Sequence, residues 1–164
     1  MAILERINYL FNRGEILKLI NFFEEGVICF LPSVKRDEAL QILIKELKNK
    51  GKLQDEEQFF EAILKREKIV STGIGMGVAI PHAKLEEFNH FFIAIGIQKE
   101  GIEWDAIDKL PIKVIFMIGG PTDQQTEYLR ILSNLTTAIK DEERLKKLLN
   151  VKTEKDVIDL FSEC

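Results

Sequence analysis

The sequence predicts a single α/β domain in which helices cover both faces of a largely buried sheet. Its length of 164 residues suits one domain of common size. In several segments the apolar residues recur at three- and four-residue steps, which is typical of one face of a helix. Other segments have the length of a strand and are apolar almost throughout, which is typical of strands covered on both faces.

Two helices are predicted in the first half of the chain. One spans residues 36–49 and ends before Gly51, a residue type that commonly terminates helices. Its buried face is formed by Ala39, Leu40, Leu43 and Leu47. The other begins at Asp55, where Gln58 completes a capping box, and runs to about residue 66 or 67. It is predicted to bury Phe59, Phe60, Ile63 and Leu64.

Strands are predicted at the nearly continuous apolar runs 27–31, 91–97 and 114–118, which have the length and content of central strands. A shorter strand is predicted at residues 78–80, directly before Pro81. Because proline fixes its own backbone angle, the chain has a defined orientation where this strand ends.

The last third of the chain is predicted to be helical. One apolar stripe consists of Tyr128, Leu132, Leu135 and Ile139, and a second consists of Leu145, Leu148 and Leu149. Thr153 is expected to cap a final helix. That helix buries Val157, Ile158 and Phe161. At the other end, residues 1–14 are predicted to form a helical extension beside the domain of residues 15–164.

The composition disfavours several classes of function. With 23 basic and 27 acidic residues the net charge is −4, which disfavours a nucleic-acid or anionic-membrane partner. The apolar runs are far shorter than the ~20 residues of a membrane-spanning helix, so no membrane insertion is expected. Two cysteines, Cys29 and Cys164, and two histidines are a poor set for disulfides or a metal site. We therefore expect a cytoplasmic protein that uses no metal or organic cofactor.

Residues 66–82 combine the side chains that a phosphohistidine site requires. A helix ends near Arg66, and two hydroxyl residues, Ser71 and Thr72, follow it. A short strand then leads to His82, whose imidazole is suited to act as a nucleophile near neutral pH. The hydroxyls and the N–H groups of the turn suit anionic oxygens. The Arg66 guanidinium suits the charge of a transferred phosphoryl group.

Gly73, Gly75 and Gly77 predict a loop with unusual backbone angles between these residues. Their G-x-G-x-G spacing precedes a strand rather than a helix, which disfavours a dinucleotide-binding turn. The sequence has neither the G-x-x-x-x-G-K-[ST] motif of nucleotide sites nor the G-x-S-x-G motif of hydrolases. No second histidine lies at a metal-ligand spacing from His82.

The whole segment has a family resemblance. Residues 71–82 read STGIGMGVAIPH and are preceded by Arg66-Glu67. This pattern resembles the enzyme IIA domain of the bacterial phosphoenolpyruvate-dependent phosphotransferase system, in its fructose/mannitol/nitrogen-regulatory family. The sequences KLEE at residues 84–87 and DAID at residues 105–108 are most similar to the nitrogen-regulatory type.

The resemblance implies a fold and a chemistry. The fold is α/β, with a mixed five-stranded sheet flanked by helices on both faces. The chemistry is that of a phosphotransferase component, in which Nε2 of His82 accepts a phosphoryl group from the phosphohistidine of an HPr-type carrier protein. Arg66 is implied as the second catalytic residue. The supporting positions are Ser71, Thr72, Gly73, Gly75, Gly77 and Tyr128.

Tyr128 marks a departure from the family pattern. The family often has a second histidine near the active one, whereas residues 125–129 of this chain read QTEYL. A neutral phenol donates one hydrogen bond but carries no positive charge at neutral pH. This difference predicts slower transfer, or a phosphohistidine that is stabilised differently, while phosphorylation of His82 is retained.

Three functions fit the sequence. The first is a nitrogen-type phosphocarrier that acts on a regulatory target protein. The second is a sugar-specific fructose- or mannitol-type component that passes its phosphoryl group to a cysteine of a IIB domain. The third belongs to another class: a regulatory binding module that transfers no phosphate, with Tyr128 as the sign of a changed site.

Overall fold

The computed structural model of the chain describes residues 17–164. The helix predicted for residues 1–14 lies outside the described residues. The helices of the described part are α1 (Leu19–Glu24), α2 (Arg36–Asn49), α3 (Glu56–Ile69), α4 (Gln125–Ile139), α5 (Glu142–Leu148) and α6 (Glu154–Leu160). Its strands are β1 (Ile28–Phe30), β2 (Gly73–Gly75), β3 (Val78–Ala79), β4 (His82–Lys84), β5 (Phe92–Ile102) and β6 (Ile112–Gly120).

The strands of this part form one mixed sheet, as expected. Its order is β1-β5-β6-β3-β2, and β4 also pairs with β6. The pairs β5–β6 and β2–β3 are antiparallel, whereas β1 runs parallel to β5 and both β3 and β4 run parallel to β6. The sheet has six strands where five were expected. One short strand, β2, comes from a glycine segment that predicts a loop but pairs with β3.

Helices cover both faces of the sheet, which confirms the predicted layers. On one face α2 and α3 pack against Ala79, Ala83, Ala94 and Met117. On the other face α1, α4 and α6 pack around Ile93, Ile95 and Phe116. Burial of these apolar faces is the main source of the stability of the domain.

The helix boundaries follow the signals in the sequence. The Asp55 carboxylate accepts a hydrogen bond from the Gln58 N–H at 3.0 Å, so the predicted cap is present. Gly51 has a φ of +73°, which favours glycine just beyond α2. The Thr153 side chain accepts a hydrogen bond from the Asp156 N–H and caps α6 as predicted. Helix α3 ends at Ile69, slightly beyond the predicted end.

The run at residues 27–31 predicts a central strand, but β1 lies at an edge of the sheet. Val27 and Leu31 are buried toward α2, and Ile28 is buried toward the opposite face. Phe30 is 45% exposed. A continuous apolar pattern therefore indicates that both faces of a strand are covered, but it does not indicate how many strands pair with it.

Candidate functional site

His82 lies where the strand beside β6 is interrupted. Val78 and Ala79 of β3 pair with β6, and the parallel pairing resumes in β4 with His82 opposite Ile118. Residues 80–81 lie between the two paired segments. Because strand side chains alternate, Ala83 faces the α2–α3 layer, whereas His82 contacts Tyr128 of α4 on the opposite face.

The half-buried imidazole of His82 has a fixed orientation. Its Nδ1 lies 3.1 Å from the carbonyl oxygen of Ile80. Because a carbonyl oxygen only accepts hydrogen bonds, the proton of the neutral ring is on Nδ1. Nε2 therefore has the lone pair, which makes it the nucleophilic nitrogen of the ring.

The surroundings of His82 keep its imidazole neutral. Burial lowers the pKa of the ring below its ordinary value of 6.5. The hydrogen bond to Ile80 opposes this effect, while the positive charges of Arg66 and Lys84 lower the pKa further. Glu67 raises the pKa by a smaller amount. The net result is an imidazole that has its lone pair available at neutral pH.

Arg66 lies in the last turn of α3. Its Nη1 donates a hydrogen bond to the carbonyl oxygen of Val70 at 2.9 Å, just beyond the end of the helix. A cation at this end also interacts favourably with the helix dipole. Its charge acts on the pKa of both His82 and Tyr128, so the three predicted site residues occupy one electrostatic environment.

Glu67 is a buried carboxylate, 7% exposed, at the end of α3. It accepts hydrogen bonds from the N–H of Thr72 at 2.9 Å and from the Thr72 hydroxyl at 2.5 Å. It also accepts one from the Ser71 hydroxyl at 3.3 Å and one from the indole N–H of Trp104 at 2.8 Å. These four contacts stabilise the charge and fix the start of the glycine segment to α3.

The hydroxyl groups of Ser71 and Thr72 face Glu67 in this arrangement. The Ser71 oxygen also accepts a hydrogen bond from the Gly73 N–H at 3.1 Å. Direct phosphate binding by these two side chains stays a prediction, since their hydrogens are used within the protein. Sequence reasoning does not select Glu67 as a site residue. The available signal was its spacing, because a carboxylate in the last helical turn precedes two hydroxyl residues by four and five positions.

The glycine segment forms a β-hairpin between β2 and β3. Gly75, Met76 and Gly77 have φ values of +101°, +59° and +76°, which confirms the predicted unusual backbone. The Asp108 carboxylate accepts a hydrogen bond from the Met76 N–H at 3.0 Å and thereby supports the turn.

The segment of residues 103–111 packs along this hairpin. The Ile107 N–H donates to the Gly73 carbonyl oxygen at 3.0 Å. A Cβ atom on Gly73 would lie only 2.7 Å from Cβ of Ala106, so the close approach of the two segments requires glycine.

Tyr128 lies at the centre of an aromatic and cationic cluster. Its ring centroid is 5.5 Å from that of His82 and 6.2 Å from that of Phe91. The Lys84 ammonium lies 4.1 Å from the Tyr128 ring centroid and also donates a hydrogen bond to the Gln125 side chain. Burial raises the pKa of the Tyr128 phenol, and Arg66 opposes that rise, so the hydroxyl is neutral at neutral pH.

Sequence reasoning did not include Lys84 among the site residues. The structure places it beside His82 because the two residues are two positions apart in β4. Within residues 17–164, no group of three or more histidine, cysteine, aspartate or glutamate side chains is arranged to hold a metal ion. None of the helices described is long and apolar enough to cross a membrane.

A comparison with protein families decides the classification. Residues 21–164 match the family described as phosphoenolpyruvate-dependent sugar phosphotransferase system, EIIA 2. The chain belongs to this EIIA family. It is thus a phosphocarrier-type domain of that system, which confirms the resemblance in the sequence.

Curated relatives of this EIIA domain fall into two groups. A nitrogen regulatory protein of Klebsiella oxytoca is 37% identical over 126 residues, which cover 76% of this chain and 77% of that protein. A fructose-specific EIIA component of Haloferax volcanii is 33% identical, and the match covers 80% of this chain and 86% of that protein. A fructose-specific EIIABC component of Bacillus subtilis is 35% identical over 81% of this chain, but the match spans only 21% of that longer protein.

Solved structures show the same fold. The nitrogen regulatory protein IIA-Ntr of Neisseria meningitidis superposes with a TM-score of 0.77 at 25% identity, covering 84% of this chain and 93% of that one. The enzyme IIAMTL of Escherichia coli, solved in complex with phosphorylated IIBMTL, superposes with a TM-score of 0.70 at 18% identity. That match covers 85% of this chain and 96% of the solved one.

Proposed function

We propose that this EIIA domain carries its phosphoryl group on Nε2 of His82 and receives it from the phosphohistidine of an HPr-type carrier protein. The observation that carries the proposal is the contact between Nδ1 of His82 and the Ile80 carbonyl oxygen. This contact supports a ring proton on Nδ1, which leaves the lone pair of Nε2 for nucleophilic attack.

The phosphoryl transfer between the two histidines balances in atoms and electrons without a cofactor. The lone pair of Nε2 forms a bond to phosphorus while the phosphorus–nitrogen bond of the donor breaks, and that electron pair stays on the donor imidazole. As the new bond forms, positive charge develops on the ring of His82. The Ile80 carbonyl oxygen stabilises this charge through the hydrogen bond from Nδ1.

Arg66 provides further stabilisation. Phosphoryl transfer depends on positioning and on charges that match those of the transferred group. The Arg66 guanidinium supplies positive charge within electrostatic reach of His82. Thr72 lies beside the strand that leads to His82, because its carbonyl oxygen accepts a hydrogen bond from the Ile80 N–H at 2.9 Å, and Glu67 fixes Thr72 to α3.

A surface for a transient partner lies beside these residues. Ile69 and Val70, which follow Arg66 along the chain, are 75% and 55% exposed. Leu129, which follows Tyr128, is 52% exposed. Exposed apolar side chains of this kind favour protein–protein contact, and a carrier that exchanges its phosphoryl group requires contacts that dissociate readily.

Within the family we favour the nitrogen-type regulatory function, in which the domain acts on a target protein. The support is the identity with the Klebsiella protein, the superposition on IIA-Ntr, and the KLEE and DAID segments at residues 84–87 and 105–108. The second candidate is a fructose- or mannitol-type component that passes the group to a IIB cysteine. It is supported by the Haloferax and Bacillus relatives and by the fold shared with IIAMTL.

The two histidines of the chain give the test a matched control. The protein is incubated with phosphoenolpyruvate, enzyme I and HPr, and its intact mass is measured. We expect one acid-labile phosphoryl group on the native protein and on His90→Ala, because His90 is exposed and lies outside the site. His82→Ala is expected to remain unmodified. An unmodified native protein would instead support a binding module that transfers no phosphate.

A second step separates the two candidates in the EIIA family. A IIB domain is added to the phosphorylated protein, and loss of the adduct is followed by mass. Rapid loss to a fructose- or mannitol-type IIB domain favours sugar transport. Retention of the adduct favours the regulatory function.

A further inference from the structure

Lys84 occupies the position from which a second cation can reach a phosphoryl group on His82. The two side chains lie two residues apart in β4 and therefore on the same face of the strand. Ala83 between them is buried against the opposite layer. A strand advances ~3.3 Å per residue, so the base of Lys84 lies ~7 Å from that of His82, which is within the reach of a lysine side chain.

The contacts of the Lys84 ammonium leave part of its binding capacity for a ligand. An ammonium has three N–H donors. One donates to the Gln125 side chain, and the ammonium also lies on the ring of Tyr128, 4.1 Å from its centroid. The same ring contacts the imidazole of His82 at a centroid distance of 5.5 Å. Tyr128 thus contacts both the Lys84 cation and the His82 imidazole.

The electrostatics of the cluster agree with this geometry. Partial burial lowers the pKa of Lys84, because a charged ammonium loses some of its hydration there. The charge of Lys84 also lowers the pKa of His82. A dianionic phosphoryl group on Nε2 would raise the pKa of Lys84 again and would be stabilised by the positive charges of Lys84 and Arg66.

We propose that Lys84 is the second cation of this site and binds an oxygen of the phosphoryl group on His82. The proposal rests on the proposed function and deepens it. Lys84 donates a hydrogen bond and transfers no proton. The new bond is that between Nε2 and phosphorus, and the leaving electron pair stays on the donor nitrogen. Lys84 thereby supplies the positive charge that Tyr128, a neutral phenol, does not supply.

The test compares three variants by their phosphoryl-transfer equilibrium with HPr. Lys84→Met removes the charge, Lys84→Arg retains it, and Lys99→Met removes an exposed lysine of β5 as the matched control. The ratio of phosphorylated to unphosphorylated protein is measured by intact mass at fixed ratios of phospho-HPr to HPr. Circular dichroism verifies that each variant is folded.

We expect Lys84→Met to shift the equilibrium toward phospho-HPr about tenfold, as the loss of a partly exposed charge-assisted hydrogen bond requires. Lys84→Arg should recover most of this loss, and Lys99→Met should match the native protein. If Lys84→Met has the same phosphoryl-transfer equilibrium with HPr as the native protein, the proposal is overturned. An arginine variant as defective as the methionine variant also overturns it, because side-chain shape rather than charge would then matter.

The proposed function has its own, separate point of failure. If the native protein acquires no phosphoryl group, or if His82→Ala still acquires one, the assignment of His82 fails. If His82 is phosphorylated and Lys84→Met behaves as the native protein does, only the role of Lys84 fails.

Discussion

The indole N–H of Trp104 donates a hydrogen bond to Oε1 of Glu67 across 2.8 Å. Trp104 lies in the segment of residues 103–111, whereas Glu67 lies near the end of α3, and the same carboxylate also accepts hydrogen bonds from Ser71 and Thr72. One buried side chain therefore connects the helix that provides Arg66, the start of the glycine hairpin and the segment that packs on that hairpin.

Replacement of Glu67 by glutamine should destabilise the protein. The amide NH₂ would face donors where the carboxylate now accepts, and a buried polar group without a partner costs about 1–3 kcal/mol. We expect the free energy of unfolding to fall by about 2 kcal/mol and the Tm to fall by about 4–8 °C, measured by calorimetry. Glu61→Gln, an exposed change in the same helix, is the control and should stay within about 0.5 kcal/mol of the native protein. Equal stabilities of the two variants would contradict the role assigned to Glu67.

Replacement of Gly73 by alanine should separate the hairpin from the segment that packs on it. The added Cβ would lie 2.7 Å from Ala106, so one of the two backbones must move. Displacements near 1 Å at a reacting group cost up to ~10²-fold in rate, and we expect phosphorylation by HPr to slow by about tenfold or more. In Gly51→Ala the added Cβ has open space, although the φ of +73° is strained. That control should lose stability but keep the native rate of phosphorylation, and a native rate in Gly73→Ala would refute the expectation.

The pKa of His82 should depend on the positive charges of Arg66 and Lys84. Burial and the charges of Arg66 and Lys84 lower its pKa, so the neutral, reactive ring should persist below pH 6.5. The rate of phosphorylation should therefore be constant through neutral pH and fall only as acid protonates Nε2. Arg66→Gln should raise the pKa measured by NMR of the ring protons, and the fall in rate should begin at higher pH.

The neighbouring residue Lys65 provides the control for Arg66. Lys65 is exposed on α3, and Lys65→Gln should leave the pKa of His82 unchanged. Arg66→Gln should also slow phosphorylation by about 10²-fold, the effect of losing one preorganised group at a transition state. If the pKa of His82 is the same in Arg66→Gln and Lys65→Gln, the Arg66 guanidinium does not act on the imidazole.

Changes at Tyr128 should distinguish its ring from its hydroxyl. Tyr128→Phe keeps the ring that contacts His82, Lys84 and Phe91, so its phosphorylation equilibrium should stay within about threefold of the native value. Tyr128→His introduces a second imidazole and should accelerate onward transfer to an acceptor, measured by stopped-flow or quenched mass analysis. An unchanged rate in Tyr128→His would show that this position does not limit transfer.

The sequence predicted the helices and long strands well because their signals are local. The apolar spacing in residues 36–49 matches α2, and the cap at Asp55 is present with its Gln58 partner. The edge position of β1 was not predictable, because it depends on which strands pair across the sheet. The strand at Gly73–Gly75 was missed for the same reason, since its pairing with β3 requires an unusual turn at Met76.

The candidate site was predicted in part. The motif selected His82, Arg66 and the glycine segment as candidates, and Tyr128 was selected by comparison with the family pattern; His82 and Tyr128 are in contact, and the charge of Arg66 acts on both. The environment of Glu67 was not predictable, because its partner Trp104 is 37 positions away along the chain. The contact between Lys84 and Tyr128 likewise joins β4 to α4. The sequence gives the chemical type of each side chain, but the neighbouring residues that shift its pKa and fix its orientation are set by tertiary packing.

The gap between β3 and β4 has a chemical consequence. In a regular sheet, the carbonyl oxygens of successive residues point alternately to the strands on either side, where main-chain N–H groups donate to them. Ile80 lies in this gap, its N–H donates to the Thr72 carbonyl oxygen on the β2 side, and its own oxygen lies at hydrogen-bond distance from the side chain two positions later. At this gap the Ile80 oxygen holds Nδ1 of His82, and under the proposed function it would direct the phosphoryl group to Nε2 before any donor arrives.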